Sequence, residues 1–336
     1  MILEKLAQDA KQLHGTIVFG EGDEERTLEA AVKLTKDGIC KCAVAAEKKD
    51  NVLAVAGKKG LDISGIDVLE PSFGLLEKPV VDAFVQGRVA KGMTEDDARK
   101  LAMNPLFFSA LYVKSGKATG GVNGARSATS DVLRAAIYCI GPAEGTKIIS
   151  SFFLMDPPAD HPVVKKPVLY ADCGVNPSPN SLAMRDIAIA SVKSFKSLFP
   201  QEAPRVAFLS FSTKGSAQHK TLDKIIESMG LTKEYFKSDK SVEVDGELQF
   251  DAAVVPSVAE RKAPGSPVAG HANIFIFPDL NAGNICYKVT ERLGRFTAIG
   301  PIIQGVAKPF NDLSRGCKPE DIYYAAVIAL LQSRNA

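Results

Sequence analysis

The sequence predicts an α/β protein of two domains, each built on a mainly parallel sheet. Three observations carry this. The chain has 336 residues, more than a single hydrophobic core usually serves. Strand-like and helix-like segments alternate from one end to the other, the pattern of βαβ units. The composition, 46% hydrophobic and 24% charged, supplies a large core and is ordinary for a soluble globular protein.

Residues 1–15 read as an amphipathic helix, with Ile2, Leu3, Leu6, Ala10 and Leu13 on one face. A strand follows at 16–19, and a helix at 24–37 is stopped by Gly38. Short strands fit 40–46 and 66–69. Helices fit 78–91, 94–102, 105–115 and 130–139. A second series opens near Lys147, with strands at 148–155 and 168–171 and a helix at 182–198. A strand at 206–210 and a helix at 216–229 come next, and 253–259 reads either way. A strand at 273–277, a helix at 284–293, a strand at 296–303 and a helix at 319–332 complete the chain. The breaks Gly141-Pro142-Ala143-Glu144-Gly145 and Gly300-Pro301 mark the boundaries. Domain one is expected to hold 1–143 plus 300–336 and domain two 144–299, with the active site in a cleft between them.

Several function classes drop out. The formal charge is +2, with acids and bases mixed along the chain, so no basic stripe offers itself to nucleic acid. No segment reads as a signal peptide and no apolar run approaches membrane-spanning length. The six cysteines are scattered, and Cys40-Lys41-Cys42 is one residue short of a CxxC pair. Reduced thiols and a cytoplasmic location are expected. His14, His161, His219 and His271 form no ligand pair, so no metal site is expected. The glycines at 141–145 and 120–124 fit neither the P-loop nor the dinucleotide spacing.

One segment concentrates chemistry. Asn311-Asp312-Leu313-Ser314-Arg315-Gly316 runs on to Pro319-Glu320-Asp321 at the start of the last helix. A turn needs only the Asn, Asp, Ser and Gly; the guanidinium of Arg315 and the carboxylate of Asp321 are extra. Together with the Ser314 hydroxyl they suit an anion and a moving proton. Pro319 fits the first helical position, which places Asp321 in the first turn, where the helix dipole favours negative charge. Two other loops compete for attention. Ser212-Thr213-Lys214-Gly215-Ser216-Ala217 follows an apolar strand and is read as opening a helix. That arrangement fits an anion site as well as an ordinary capped turn. Ser127-Ala128-Thr129-Ser130-Asp131 is a hydroxyl-rich loop entering a helix, with Arg134 one turn in; on the pattern alone a capped helix with a surface arginine is the favoured reading.

These segments, with Asp245-Gly246-Glu247-Leu248-Gln249, Lys262-Ala263-Pro264-Gly265-Ser266-Pro267, Ile274-Phe275-Ile276-Phe277-Pro278-Asp279 and Gly300-Pro301-Ile302-Ile303-Gln304-Gly305, occur in an order that resembles the phosphate acetyl/butyryltransferase family over essentially the whole chain. The resemblance implies two α/β domains similar to the isocitrate and isopropylmalate dehydrogenases, and a homodimer. It also implies interconversion of acetyl phosphate plus coenzyme A with acetyl-CoA plus phosphate. No tightly bound cofactor is implied, although monovalent cations can stimulate members of the family.

Carried over by motif, Ser314, Arg315 and Asp321 are the expected catalytic residues. Arg88 and Arg134 are the expected phosphate-handling arginines. Asn123, Ser127 and Thr129 are expected to line the substrate site, as are Ser212, Thr213, Lys214, Gly215 and Ser216. Two positions depart from the family pattern: Ala135 stands where proline is common, and Asn123 where serine is frequent.

The chemistry implied needs fixed positive charge for two anionic substrates, and arginine pairs two phosphate oxygens at once. It also needs the thiolate of coenzyme A. Moving a proton from a thiol with a pKa of ~8.5 to an ordinary Asp at ~3.9 is uphill by about 6 kcal/mol. Asp321 therefore works as a base only if burial raises it or a cation such as Arg315 lowers the thiol; otherwise it orients. Ser314 reads as a hydrogen-bond donor to the developing oxyanion, with direct transfer to the thiol. Propionyl or butyryl transfer, and a non-catalytic acyl-CoA sensor, are the alternatives.

Overall fold

In the computed structural model, which describes residues 2–335, the chain forms two compact units. One holds residues 3–144 and 306–335, the other 145–305.

The first unit begins with α1 (Ile2–Lys11), β1 (Thr16–Phe19), α2 (Glu25–Lys36), β2 (Lys41–Ala45), α3 (Lys49–Lys59) and β3 (Ile66–Leu69). Three helices follow, α4 (Lys78–Val89), α5 (Glu95–Ala102) and α6 (Pro105–Lys114), then β4 (Gly120–Val122) and α7 (Thr129–Ala135), which widens into a π turn over Ala136–Ile140. The second unit holds β5 (Ser150–Asp156), β6 (Val168–Ala171), α8 (Ser181–Leu198), β7 (Arg205–Leu209), α9 (Asp223–Tyr235) and β8 (Glu243–Leu248). It continues through α10 (Phe250–Val254), α11 (Pro256–Lys262), β9 (Ile274–Ile276), α12 (Leu280–Arg292) and β10 (Thr297–Gln304). The chain then returns to the first unit as β11 (Phe310–Asn311) and α13 (Pro319–Gln332).

The first sheet runs β11-β4-β1-β2-β3, every pair parallel. Its strands are apolar and almost wholly buried, as expected of a sheet covered on both faces. Helix α13 is buried nearly all round, from Ile322 to Leu331, and packs on β4, β1 and α2. β4 is too short and glycine-rich to announce itself in the sequence. The glycines have a reason: a Cβ on Gly121 would fall 2.6 Å from the Phe310 ring of β11.

The second sheet runs β10-β5-β6-β9-β7-β8. Its β6, β9, β7 and β8 are parallel, whereas β5 is antiparallel to both neighbours. Residues 300–305 belong here and not, as the sequence suggested, to the first domain. The reason is that β10 pairs with β5 on both sides of Gly300-Pro301, from Thr297 to Gln304. No element was expected at β8, whose Glu243, Asp245 and Glu247 break up any apolar run; Asp245 and Glu247 are buried and paired.

The helix expected at 216–229 starts late. Residues 210–219 are irregular, a 3-10 turn covers Lys220–Leu222 and α9 begins at Asp223. Ser216 spends its hydroxyl accepting the Thr213 N–H at 3.0 Å, and the Gly215 N–H goes to Glu247 at 2.7 Å. That backbone is held as a loop.

Candidate active site

In the first sheet the chain leaves β1 toward β2 on one side, and later returns to β4 on the other side of β1. The loops after β1 and β4 therefore diverge, and the crevice outside the carboxyl ends of such strands is where open α/β sheets bind ligands. β11 ends beside them, so residues 20–21, 123–127 and 312–316 leave one edge of the sheet together.

Three side chains fix these loops. Glu21 is 2% exposed, and its carboxylate accepts four backbone N–H groups. Gly124 and Ala125 donate to Oε2 at 3.1 and 2.8 Å. Arg126 and Ser127 donate to Oε1 at 3.2 and 2.7 Å. Arg26, in the first turn of α2, ties the same loop to the Ser314 turn. Its Nη2 donates to the Ala125 carbonyl at 2.8 Å, while Nη1 donates to the carbonyls of Arg315 and Cys317 at 2.8 and 2.9 Å. A hydrogen bond to Glu24, at 2.8 Å, raises the Arg26 pKa further. A third tie comes from Asn123, whose Oδ1 accepts the Gly20 N–H at 2.7 Å.

Around this frame stand the residues expected from the sequence. Ser314 and Arg315 are exposed on their turn. The Ser314 Oγ accepts only the Gly316 N–H, at 3.3 Å, and no ion pair engages the Arg315 guanidinium among the described residues. Both are thus available to a substrate. Asp321 sits in the first turn of α13 as the sequence suggested, and its Oδ2 accepts the Lys318 N–H at 2.8 Å, closing a capping box. Thr129 opens α7 directly after the loop held by Glu21.

Arg88 and Arg134 meet at a different feature, the aromatic pair Phe107 and Tyr138, whose ring centroids lie 6.4 Å apart. The Arg88 guanidinium stacks 3.7 Å over the Tyr138 ring and its buried Nε has no partner among the described residues. Arg134 lies 6.0 Å from Phe107 and pairs with Asp131 at 2.6 Å. Stacking leaves the outer edge of a guanidinium free for a planar anion.

The 212–216 loop belongs to the second unit, and its donors are already engaged. The Ser212 hydroxyl and the Gly215 N–H both reach Glu247 Oε1, at 2.9 and 2.7 Å, and the Thr213 hydroxyl reaches Gln249 at 3.3 Å. The Lys214 ammonium sits 2.5 Å from Asp245. Burial alone would raise the Asp245 pKa, but Lys214, Ser266 and Lys233 together hold it low. Glu247 and Asp245 thus supply the negative charge that an external anion would otherwise bring. The same unit has an apolar cavity of about 520 Å³ lined by Leu209, Phe211, Phe250 and Phe277 among others. None of the expected site residues lines it.

The sequence reading missed Glu21, Arg26 and Asp312. Glu21 had one usable signal, an acid placed directly after a parallel strand. Asp312 was hidden inside its own motif, where an Asp reads as ordinary turn chemistry. It is fully buried, and burial pushes its carboxyl up to about 7, with the nearby Glu21 adding to the rise. No group of three or more His, Cys, Asp or Glu side chains is placed to hold a metal ion among the described residues, and no helix there is long and apolar enough to cross a membrane.

Residues 1–330 match the family model described as phosphate acetyl/butaryl transferase. The chain is 43% identical to the phosphate acetyltransferase of Thermoanaerobacterium thermosaccharolyticum over 99% of both chains. Among solved structures, the EutD phosphotransacetylase from Staphylococcus aureus superposes with a TM-score of 0.87 at 38% identity, covering 98% of this chain and 99% of the other. A phosphotransacetylase from Streptococcus pyogenes superposes with a TM-score of 0.88 at 36% identity, covering 99% of each.

Proposed function

The chain belongs to the phosphate acetyl/butyryl transferase family, and from that premise we propose that it moves an acetyl group reversibly between acetyl phosphate and coenzyme A. The observation that carries this is the exposed Ser314–Arg315 turn, held by Arg26 beside a hydroxyl-bearing loop and left with an unpaired guanidinium.

Arg315 supplies a fork for the phosphoryl oxygens, and the stacked Arg88 and Arg134 supply further positive charge. Ser314 donates to the acetyl oxygen as charge builds there, and the thiolate of coenzyme A attacks the carbonyl carbon. The bond from that carbon to the bridging oxygen breaks and phosphate leaves. Near pH 7.5 roughly a tenth of a thiol with a pKa of ~8.5 is already ionised, so a base adds only about tenfold. Positioning and charge stabilisation supply most of the rest. Asp321 keeps Oδ1 outside its cap and is our acceptor for the thiol proton, while the cap orients it. The 212–216 loop we assign to shaping the second unit, because its donors are spent internally.

Coenzyme A enters as a substrate, with no tightly bound cofactor, and monovalent cations are expected to stimulate turnover. We place the protein in the cytoplasm, as a homodimer. Ile285, Val289 and Leu293 form an exposed apolar stripe along one side of α12 and just past its end, at 62%, 49% and 81% exposure. We assign that stripe to the second copy.

The test is a steady-state assay of thioester formation from acetyl phosphate and coenzyme A, repeated with propionyl and butyryl phosphate. Preference for acetyl is expected. One methylene is worth only ~1–3 kcal/mol in a pocket, so some propionyl activity is compatible. Binding of acetyl-CoA without phosphate-dependent turnover would replace the enzyme reading with that of a sensor.

A further inference from the structure

Asp312 lies fully buried at the end of β11, one residue beyond the last pair that β11 makes with β4. Neither of its oxygens makes a well-formed hydrogen bond among the described residues, and the neighbouring Asn123 also keeps a buried, unpartnered Nδ2. The backbone presses on it: Gly124 has φ +99, and a Cβ there would collide with Asp312 Oδ1 and crowd the Leu313 N–H at 2.8 Å. A glycine at 124 is thus required both by its left-handed conformation and by the closeness of this carboxyl. A buried carboxyl in this position is stable only as the neutral acid or with a compensating cation. Among the described residues no cation compensates it. Arg26 spends its donors on Glu24 and on the carbonyls of Ala125, Arg315 and Cys317, and Arg126 pairs with Asp23 at 2.9 Å. The charged group that acts on Asp312 is Glu21, which has the same sign. The polar groups that act on it are the Thr129 hydroxyl and the Leu313 N–H.

We propose that Asp312 is a positioning residue which, as a neutral acid, turns the Thr129 hydroxyl outward so that it donates to the phosphoryl oxygens of the substrate. A neutral Asp312 donates its O–H to the Thr129 oxygen, leaving the Thr129 proton for an external acceptor. An ionised Asp312 accepts that proton and turns the hydroxyl inward, so the substrate loses a donor and meets a buried negative charge. No covalent step is involved; one proton changes place between Asp312 and solvent. Because an anion outside favours the neutral acid, substrate binding and proton retention on Asp312 strengthen each other. The midpoint of about 7 puts this switch within the working range of a thiol acceptor.

The inference rests on the acyl-phosphate reading of the site, and its test is separable from it. The kcat/KM for acetyl phosphate would be measured from pH 5.5 to 9 in the natural protein, in Asp312→Asn and in Thr129→Val. The ratio of variant to natural protein at each pH cancels the titration of the substrates. Asn keeps a donor at every pH, so Asp312→Asn should match the natural protein near pH 6 and exceed it by about tenfold at pH 8, where only about one-eleventh of a group titrating near 7 remains neutral. Thr129→Val should be weaker near pH 6, where the hydroxyl donates, and its own profile should show a smaller alkaline fall, the part due to the Asp312 charge alone. A ratio for Asp312→Asn that stays flat with pH, or an alkaline fall that persists undiminished in Thr129→Val, overturns the proposal. If Asp312→Asn does not fold, by circular dichroism, the Thr129→Val profile decides alone. Absence of acetyl phosphate turnover in the natural protein would instead remove the underlying functional reading.

Discussion

Replacing Glu21 with Gln changes one oxygen for an NH₂ and almost nothing in volume. The consequence follows from the bonding. The carboxylate serves four N–H groups, two on each oxygen. An amide oxygen can keep two of them, so the other two lose their acceptor and face an N–H donor. Hydrogen bonds to a charged group contribute about 1.5–3 kcal/mol each, which puts the loss of two at about 3–6 kcal/mol. That is a large share of the ~5–15 kcal/mol that holds a typical domain together.

Most of that loss should appear as local opening of residues 124–127 rather than unfolding of the sheet, because the loop can move off while β1 and β4 stay paired. Amide exchange is the direct assay. The N–H groups of Gly124, Ala125, Arg126 and Ser127 should exchange at least a hundredfold faster in Glu21→Gln, a factor that corresponds to about 2.7 kcal/mol. The strand amides should be little changed. Turnover should fall alongside, since Thr129 is placed by the same loop. If protection at 124–127 and activity both survive the substitution, Glu21 does not hold the site and the reasoning fails.

Other outcomes follow from the same geometry. Arg315→Ala should lower kcat/KM at least a hundredfold and Arg315→Lys should recover only part, because an ammonium cannot pair bidentately; full recovery would mean that net charge alone matters. Asp321→Asn should reduce kcat by about tenfold at pH 7.5 with little change in KM, and an unchanged kcat would leave Asp321 only its cap. Asp312→Asn should change stability with pH. Its folded-state midpoint, about 7, lies above the ordinary ~3.9, so the folded state holds the proton longer. Stability from that group is full below about pH 4, is lost as pH rises to 7, and stays lost above. The variant should therefore gain on the natural protein by up to about 4 kcal/mol at pH 8 and by almost nothing at pH 4, read from urea midpoints. Leu293→Glu should shift sedimentation from dimer to monomer without loss of helix content.

Much of the fold was legible because alternation and apolar strands are local signals. Thr16–Phe19, Ile66–Leu69, Val168–Ala171 and Pro319–Gln332 fall where the sequence put them. The strands that escaped are defined by partners distant in sequence. β4 is Gly-Gly-Val, and it is a strand because β1 lies on one side and the Phe310 ring on the other. β8 carries acids whose partners are Lys214, Lys233 and Ser212. The exposed parts of the candidate site, Ser314 and Arg315, were visible through their motif. Its frame was not, because Glu21 and Arg26 act on backbone groups about a hundred residues or more away. The lysine-and-hydroxyl loop at 212–216 misled for the same reason in reverse: its anions, Glu247 and Asp245, come from a strand that the sequence did not announce.

The two buried acids of the site show how one loop can be held firmly and still respond to pH. Glu21 and Asp312 approach the loop after β4 from the ends of β1 and β11, the strands on either side of it, but the N–H groups of residues 124–127 all turn toward Glu21. Four donors stabilise negative charge there, and the second carboxylate close by is left with only the Thr129 hydroxyl and the Leu313 N–H and, among the described residues, no cation. The satisfaction of Glu21 and the neutrality of Asp312 are therefore one arrangement, and each is a condition of the other. Removing the Glu21 charge should release donors and lift a repulsion, so the Asp312 midpoint should fall in Glu21→Gln. The alkaline fall of kcat/KM would then move to lower pH in whatever activity that variant retains. A fall that stayed in place would mean that the two acids are independent, and that burial alone sets Asp312.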